Sequence, residues 1–378
     1  MIALRRTRPA PPRPGTLGAH AVGQLWRLCR VVGLSWADAA AYTEILAEML
    51  GPVAERPLGL PPAAPWSFLS DDRTPVEFSL SFVAGARPTL RMVLEPGGGI
   101  GGLEQSGRTG LQVVRELARL WGFDTDRLDE LEDLFFPAAP QGPLALWCAL
   151  ELLPGGVPKV KVYLNPAASG PERATATVRE ALRRLGHRQA FAALPENDRL
   201  LFFALDLGQW DEPRVKVYTA HHDLPVAAAS GLSRMAGGPD AAELEAFLRA
   251  AVEPGDGHDA LLDQRPVQGC HGFTETVSGL PSCYTLYVPI RDYARHDREA
   301  LDRAVVLLRR YGIDPDRLVS AVGAVTERPL EDGVGLIAYL ALAHQQGRAP
   351  RVTAYLASEA YEVRRPTASG SLRAAAGH

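Results

Sequence analysis

One alternating pattern recurs along this chain and limits its fold more than any other feature. KVKVY at 159–163 is matched by RVKVY at 214–218 and by RVTAY at 351–355. PTLRMVLEP (88–96) aligns without gaps on PKVKVYLNP (158–166), setting Arg91 against Lys161 and Pro96 against Pro166. Helical segments repeat too. VRELARLWG (114–122) matches VREALRRLG (178–186), and LWGFDTDRL (120–128) matches RYGIDPDRL (310–318). A long, irregular period, here roughly 55–70 residues, points to a few large supersecondary units rather than a small solenoid repeat.

The unit reads as a helix followed by two strands. Strands are predicted over 74–84, 88–96, 143–153, 158–166, 199–207, 213–221, 282–290, 333–343 and 350–358, with a tenth near 268–276. Pro- and Gly-rich turns such as ARP, PGGVP and GRAP separate several of them and favour hairpins. Helices are predicted near 19–33, 36–50, 108–121, 125–135, 171–185, 240–252, 297–311 and 315–324, the second with Ser35 as its N-cap. Residues 1–16 and 364–378 carry no periodic apolar pattern and are expected to be flexible segments flanking a single domain over 17–363. Hairpins that each carry a helix on one side can close into a barrel, which leaves no sheet edge.

Alternation then assigns the faces. In KVKVY, Lys159, Lys161 and Tyr163 share one face and Val160 and Val162 the other. In VEFSLSF, Glu77, Ser79 and Ser81 oppose Val76, Phe78, Leu80 and Phe82. Amphipathic helices cover the apolar face, so the polar face turns into a lumen, a candidate reaction chamber. Its expected cations are Arg91, Lys161, Arg214, Lys216 and Arg351, the last inferred from the repeat. Its expected tyrosines are Tyr163, Tyr218, Tyr287 and Tyr355. Cations around a lumen suit a polyanion, most simply a diphosphate. Tyrosine ring faces suit a carbocation kept from water. Together they suggest ionisation of an allylic diphosphate, with the cations stabilising the leaving group. The Asp-rich DDxxD motif that holds magnesium in other prenyl-transfer enzymes is absent, since Asp71-Asp72 is followed by Arg-Thr-Pro. No metal or cofactor is expected.

PWSFLSDDRTPVEFSLSF, LRMVLEP, KVKVYLNP, RVKVY and the final RVTAY, in that order, resemble the dimethylallyltryptophan synthase family of indole prenyltransferases over roughly residues 20–360. The resemblance implies an α+β fold: a ten-stranded antiparallel β-barrel ringed by α-helices in αββα units. It also implies metal-independent attack of an indole such as L-tryptophan on dimethylallyl diphosphate. By position, Glu77 resembles the family glutamate that accepts a hydrogen bond from the indole N–H. Arg91, Lys161, Arg214 and Lys216 match the diphosphate-binding cations, and the four tyrosines match the carbocation shield. Members that alkylate indole C4 have a lysine on the third strand. LALWCALELL has none, and Glu151 is its one ionisable residue. The compact, Ala-, Arg-, Pro- and Gly-rich chain resembles the bacterial branch.

Composition excludes several classes. The formal net charge of −4 argues against a nucleic-acid footprint. Apolar stretches are interrupted by charges well before ~18 residues, so no membrane span is expected, and the cytoplasm is the expected location. Cys29, Cys148, Cys270 and Cys283 show no zinc-ligand spacing. GGGIGG (97–102) lacks a Walker lysine and is expected to be a flexible loop with no helix opening directly on it. His221-His222-Asp223 reads as a turn. Other readings keep the fold and change the acceptor to tyrosine, a naphthalenediol or a tryptophan within a peptide, or replace catalysis by small-molecule binding. A nucleotide-using enzyme lacks its phosphate loop.

Overall fold

Ten alternating segments pair side by side until the last meets the first. The computed structural model describes residues 12–99, 101–252 and 261–366. Its barrel strands are β1 (Val76–Phe82), β2 (Thr89–Leu94), β3 (Leu146–Glu151), β4 (Lys159–Leu164), β5 (Arg199–Leu207), β6 (Arg214–His221), β7 (Val267–Phe273), β8 (Cys283–Val288), β9 (Ile337–Gln345) and β10 (Arg351–Ala357). Each strand is antiparallel to its sequence neighbours, and β1 pairs with β10, with Ser79 opposite Tyr355 and Phe82 opposite Val352. A closed meander leaves no edge to template aggregation.

Helices precede each hairpin. They are α1 (Leu17–Val31) and α2 (Trp36–Leu50), then α3 (Leu103–Trp121) with the short α4 (Asp126–Asp129) and α5 (Glu132–Phe135), α6 (Ala174–Arg184), α7 (Ala241–Val252), and α8 (Asp297–Arg310) with α9 (Asp316–Val325). They cover the outward apolar faces, and Val76, Phe78, Leu80, Val162, Leu164 and Phe203 are all fully buried. The apolar core is therefore a sleeve between barrel and helices, in which each such side chain contributes about 1.5–3 kcal/mol. None of the described helices is long and apolar enough to cross a membrane.

Polar ties set neighbouring units in place. Ser35 and Asp38 form a capping box at the start of α2. Asp38 also accepts a hydrogen bond from Gly155 N at 2.9 Å, and the Tyr42 hydroxyl donates to Leu153 O at 2.6 Å, so the first helical layer grips the β3–β4 turn. That turn needs positive φ at Gly155 and Gly156 (95° and 76°), which glycine adopts without strain. The ring is locked where it closes. Buried Gln24 of α1 donates to Val325 O and Ser358 O and accepts from the Ser358 hydroxyl.

Two local expectations need correction. The helix expected from 108 starts at Leu103, with Gly102 at its N-cap, so the 97–102 glycine run does open directly onto a helix. The helix expected over 125–135 is split into α4 and α5, and its acidic run is held by ion pairs: Asp129 and Glu132 to Arg115, and Asp133 to Arg184. Of the two segments expected to be flexible, residues 1–11 and 367–378 lie outside the described residues. Thr16 is the N-cap of α1, and Val334 N donates to Arg364 O at 3.0 Å.

Outward Phe203 stacks on Phe135 of α5 with centroids 5.5 Å apart. Phe203→Ala is expected to cost about 3–5 kcal/mol by chemical denaturation. The lumen-facing Phe202→Ala is expected to cost clearly less. Equal losses would contradict a core confined to the sleeve.

Candidate active site

The polar parity of the strands turns inward, and acidic side chains partly balance its cations. Arg91 donates from Nε and Nη2 to Glu151 Oε2 at 2.9 and 2.7 Å, and from Nη1 to Ser81 Oγ at 2.7 Å. Lys159 holds the other Glu151 oxygen at 2.8 Å. Burial would raise the Glu151 carboxyl, but Arg91 and Lys159 hold it down to about 2. Glu151 is therefore unsuited to accepting a proton. Lys161 and Lys216 both reach Asp206 at 3.5 Å and hold it below the carboxylate range despite its burial. The Arg214 guanidinium lies 3.6 Å over the Trp210 ring at the barrel rim. Arg351 has a buried Nε with no hydrogen-bond partner, and burial together with Arg91 pushes its pKa down. The five expected cations thus share the lumen with two carboxylates, Glu151 and Asp206, and Lys159 on the same face adds a sixth, so positive charge is in excess.

All four expected tyrosines also face the lumen, in a continuous belt. Ring centroids are separated by 6.5 Å from Trp147 to Tyr163, 5.6 Å to Tyr218, 5.8 Å to Tyr287, 5.7 Å to Tyr355 and 6.5 Å to Tyr339. Phe202 fills the inside of this arc, 5.1 Å from Trp147 and 5.7 Å from Tyr218. Burial raises the pKa of Tyr163, Tyr218, Tyr287 and Tyr355, so the belt stays neutral.

Glu77 stands beyond Tyr355, on the side of the belt away from Arg351. It is 8 % exposed and lies in register between Val93 and Ala357. Burial pushes its carboxyl up to about 8; Arg291 lowers it and Asp71 raises it further. Arg291 lies 4.8 Å over the Tyr339 ring and 3.1 Å from Asp71.

Sequence reasoning missed Trp147, Phe202, Tyr339, Arg291 and Glu95. A register shift between Ile337 and Tyr339 hid the parity of Tyr339. Phe202 follows a similar shift after Leu200. Arg291 sits on a 3-10 turn, Ile290–Asp292, outside any strand pattern. Glu95 accepts from Ser67 Oγ at 2.6 Å and from the Trp147 indole N–H at 3.4 Å, and burial pushes it up to about 7. The repeat offered a signal here, since Glu95 aligns with Asn165, which likewise ties the end of its strand to neighbouring loops. Among the described residues no group of three or more His, Cys, Asp or Glu could hold a metal ion.

Residues 38–319 match the family described as tryptophan dimethylallyltransferase. This chain belongs to that family. Solved structures of a prenyltransferase and of two dimethylallyltryptophan synthases extend the likeness over almost the whole fold. PriB, in a ternary complex with L-tryptophan and dimethylallyl thiolodiphosphate, is 59% identical at a TM-score of 0.89, covering 93% of this chain and 98% of its own. The 5-dimethylallyl tryptophan synthase from Streptomyces coelicolor, in complex with DMASPP and Trp, is 57% identical at 0.89, covering 95% and 99%. The 6-dimethylallyltryptophan synthase from Micromonospora olivasterospora, also with DMASPP and Trp, is 42% identical at 0.85, covering 93% and 99%.

An unpaired cation in this lumen opposes folding and favours an anion. Arg351→Gln is expected to raise the melting temperature of the empty protein while weakening inorganic diphosphate, measured by calorimetry, about ten- to a hundredfold. Unchanged diphosphate affinity would remove Arg351 from the anion site.

Proposed function

We propose that this protein transfers a dimethylallyl group from dimethylallyl diphosphate to the indole ring of L-tryptophan, without a metal ion. One observation carries the reading. A neutral aromatic belt lies between cations and a buried carboxylate: along β10 the inward positions pass from Arg351 through Tyr355 to Ala357, the register partner of Glu77. Metal independence fits the local chemistry, because the carboxylates available to magnesium among the cations, Glu151 and Asp206, are each engaged by two cationic side chains.

The geometry supports the following steps. Arg91, Lys161, Arg214, Lys216 and Arg351 bind the diphosphate and stabilise the charge that develops as the allylic C–O bond breaks and its electron pair leaves with the phosphate oxygen. Tyr163, Tyr218, Tyr287 and Tyr355 place electron-rich faces around the dimethylallyl cation and exclude water. Glu77 accepts the indole N–H hydrogen bond, which raises electron density in the ring. A ring carbon then bonds to the cation, and the arenium ion so formed passes its ring proton to the released diphosphate, which restores aromaticity.

An ionised Glu77 is the better acceptor, and its carboxyl is raised to about 8 in the empty site. Accordingly, kcat/KM for tryptophan is expected to rise as pH climbs from 6 to 8.5, and Glu77→Gln to lose that limb and at least a hundredfold in rate. Stability runs the other way. A raised carboxyl is protonated in the folded state, so its contribution is present below the unfolded value near 4.5 and is lost as pH rises through about 8. Melting temperatures should therefore fall between pH 5 and 8.5 more steeply for the parent than for Glu77→Gln. The activity is tested by incubating the protein with both substrates in EDTA and looking for a C5H8 gain on tryptophan by mass spectrometry. A gain on a different aromatic alone would change the acceptor, and none on any aromatic would leave a binding barrel.

A further inference from the structure

Glu95 and Asn165 occupy equivalent places in the repeat, each one residue past the end of its strand and each followed by proline, yet they are used differently. Asn165 serves the backbone. Its Nδ2 donates to Gln141 O and Leu144 O at 2.8 and 3.2 Å, and its Oδ1 accepts from Ala167 N at 2.9 Å. That set ties loops together. Glu95 instead turns one carboxylate oxygen, Oε2, to two side chains. It accepts from Ser67 Oγ at 2.6 Å and from the Trp147 indole N–H at 3.4 Å. The structural task of the repeat is replaced here by a grip on an aromatic ring of the lumen.

The grip is rigid. Glu95 is buried, its N–H donates to Pro75 O at 3.1 Å, and its carbonyl accepts from Gly98 N at 3.1 Å. Gly98 leaves little room beside the stem, since a Cβ there would meet Glu95 Cγ at 3.3 Å. Ser67, also buried, is fixed in turn by Leu69 N, which donates to its Oγ at 3.2 Å. The ring that is held touches both halves of the site. Trp147 is the register partner of Tyr163, in the belt, and its ring tilts against Phe202 at 5.1 Å. It also clusters with Leu69 and with Val93, the register partner of Glu77. A buried indole N–H with a fixed partner holds its ring in one orientation; without that partner the ring can turn.

We propose that Glu95 is a positioning residue for regioselectivity: by holding the Trp147 indole N–H it fixes the wall against which the acceptor ring lies, and so decides which ring carbon meets the dimethylallyl cation. The inference rests on the proposed indole acceptor held at Glu77. One hydrogen bond to Glu77 leaves the acceptor free to pivot about N1, and a fixed wall beside Val93 removes that freedom. A displacement on the order of 1 Å is enough to change how two reacting atoms meet. The grip needs an acceptor rather than a charge. Burial pushes the Glu95 carboxyl up to about 7, so its neutral form is populated near neutrality and still accepts from the indole N–H. A glutamine amide oxygen can do the same.

The test is the regioisomer ratio of prenylated tryptophan, resolved by chromatography and NMR, for the parent, Glu95→Gln and Glu95→Leu. Leucine brings no polar group to a buried site, which favours folding, and calorimetry with inorganic diphosphate checks that the lumen is intact. The ratio of the main regioisomer to all others is expected to fall at least tenfold in Glu95→Leu and to stay within about twofold of the parent in Glu95→Gln. A Glu95→Leu protein that is slower or less stable but keeps the parent ratio would overturn the proposal and leave a structural tie. An equal fall in Glu95→Gln would also overturn it, because the amide still accepts the N–H. Trp147→Phe keeps a ring without the N–H and is expected to lower the ratio too. The parent ratio in that variant would overturn the proposal even if Glu95→Leu does not fold. No turnover of tryptophan by the parent would overturn the proposed activity and this role with it, whereas turnover with unchanged ratios would overturn this role alone.

Discussion

Five cations enclosed with two carboxylates cannot all be neutralised, and the rest of the molecule is arranged to tolerate that excess. Like charges in a chamber walled by protein repel one another more than they would in water. Arg351 carries part of that cost, with a buried Nε that has no hydrogen-bond partner and a pKa pushed down by burial and by Arg91. The stabilising free energy is found elsewhere, in the apolar sleeve outside the strands and in ties such as Gln24 to Ser358 and Tyr42 to Leu153. A barrel held from outside can keep an inside that is electrostatically incomplete. Under the proposed reading a diphosphate would supply the missing negative charge.

In the proposed reading the tyrosine belt is what suits the chamber to carbocation chemistry rather than to binding alone. Its rings are buried and neutral, and none offers an anion that could capture a carbocation. It also separates two electrostatic regimes. At one end guanidinium and ammonium groups lie against Glu151 and Asp206, whose carboxyls are pulled down. At the other, burial dominates and Glu77 is pushed up to about 8. The same residue type thus behaves oppositely according to its neighbours: Glu151 is pulled down by cations, whereas burial raises Glu77 and Glu95.

Much of this was legible in the sequence because it rests on period-two alternation. Lys161, Tyr163, Lys216 and Tyr218 face inward for the same reason that Val160, Val162, Val215 and Val217 face outward, and a repeat makes that parity visible. What stayed hidden breaks the pattern. Tyr339 and Phe202 follow register shifts, and Arg291 and Asp71 sit on a turn and a loop. Counter-ions were hidden as well. Glu151 looked like a lone acid on the third strand, and only its approach to Arg91 shows that it balances charge. The glycine run misled because its composition suggested a loop, whereas Gly102 caps α3.

The central claim is that the cation excess seats the diphosphate while Glu77 seats the acceptor, on opposite sides of one aromatic belt. A crystal structure with dimethylallyl thiolodiphosphate and L-tryptophan tests it most directly. The account predicts a diphosphate among Arg91, Lys161, Lys216 and Arg351, a dimethylallyl chain against the tyrosine rings, and the indole N–H donated to Glu77. A diphosphate held instead at the Asp71 and Arg291 end, or an indole turned away from Glu77, would contradict it.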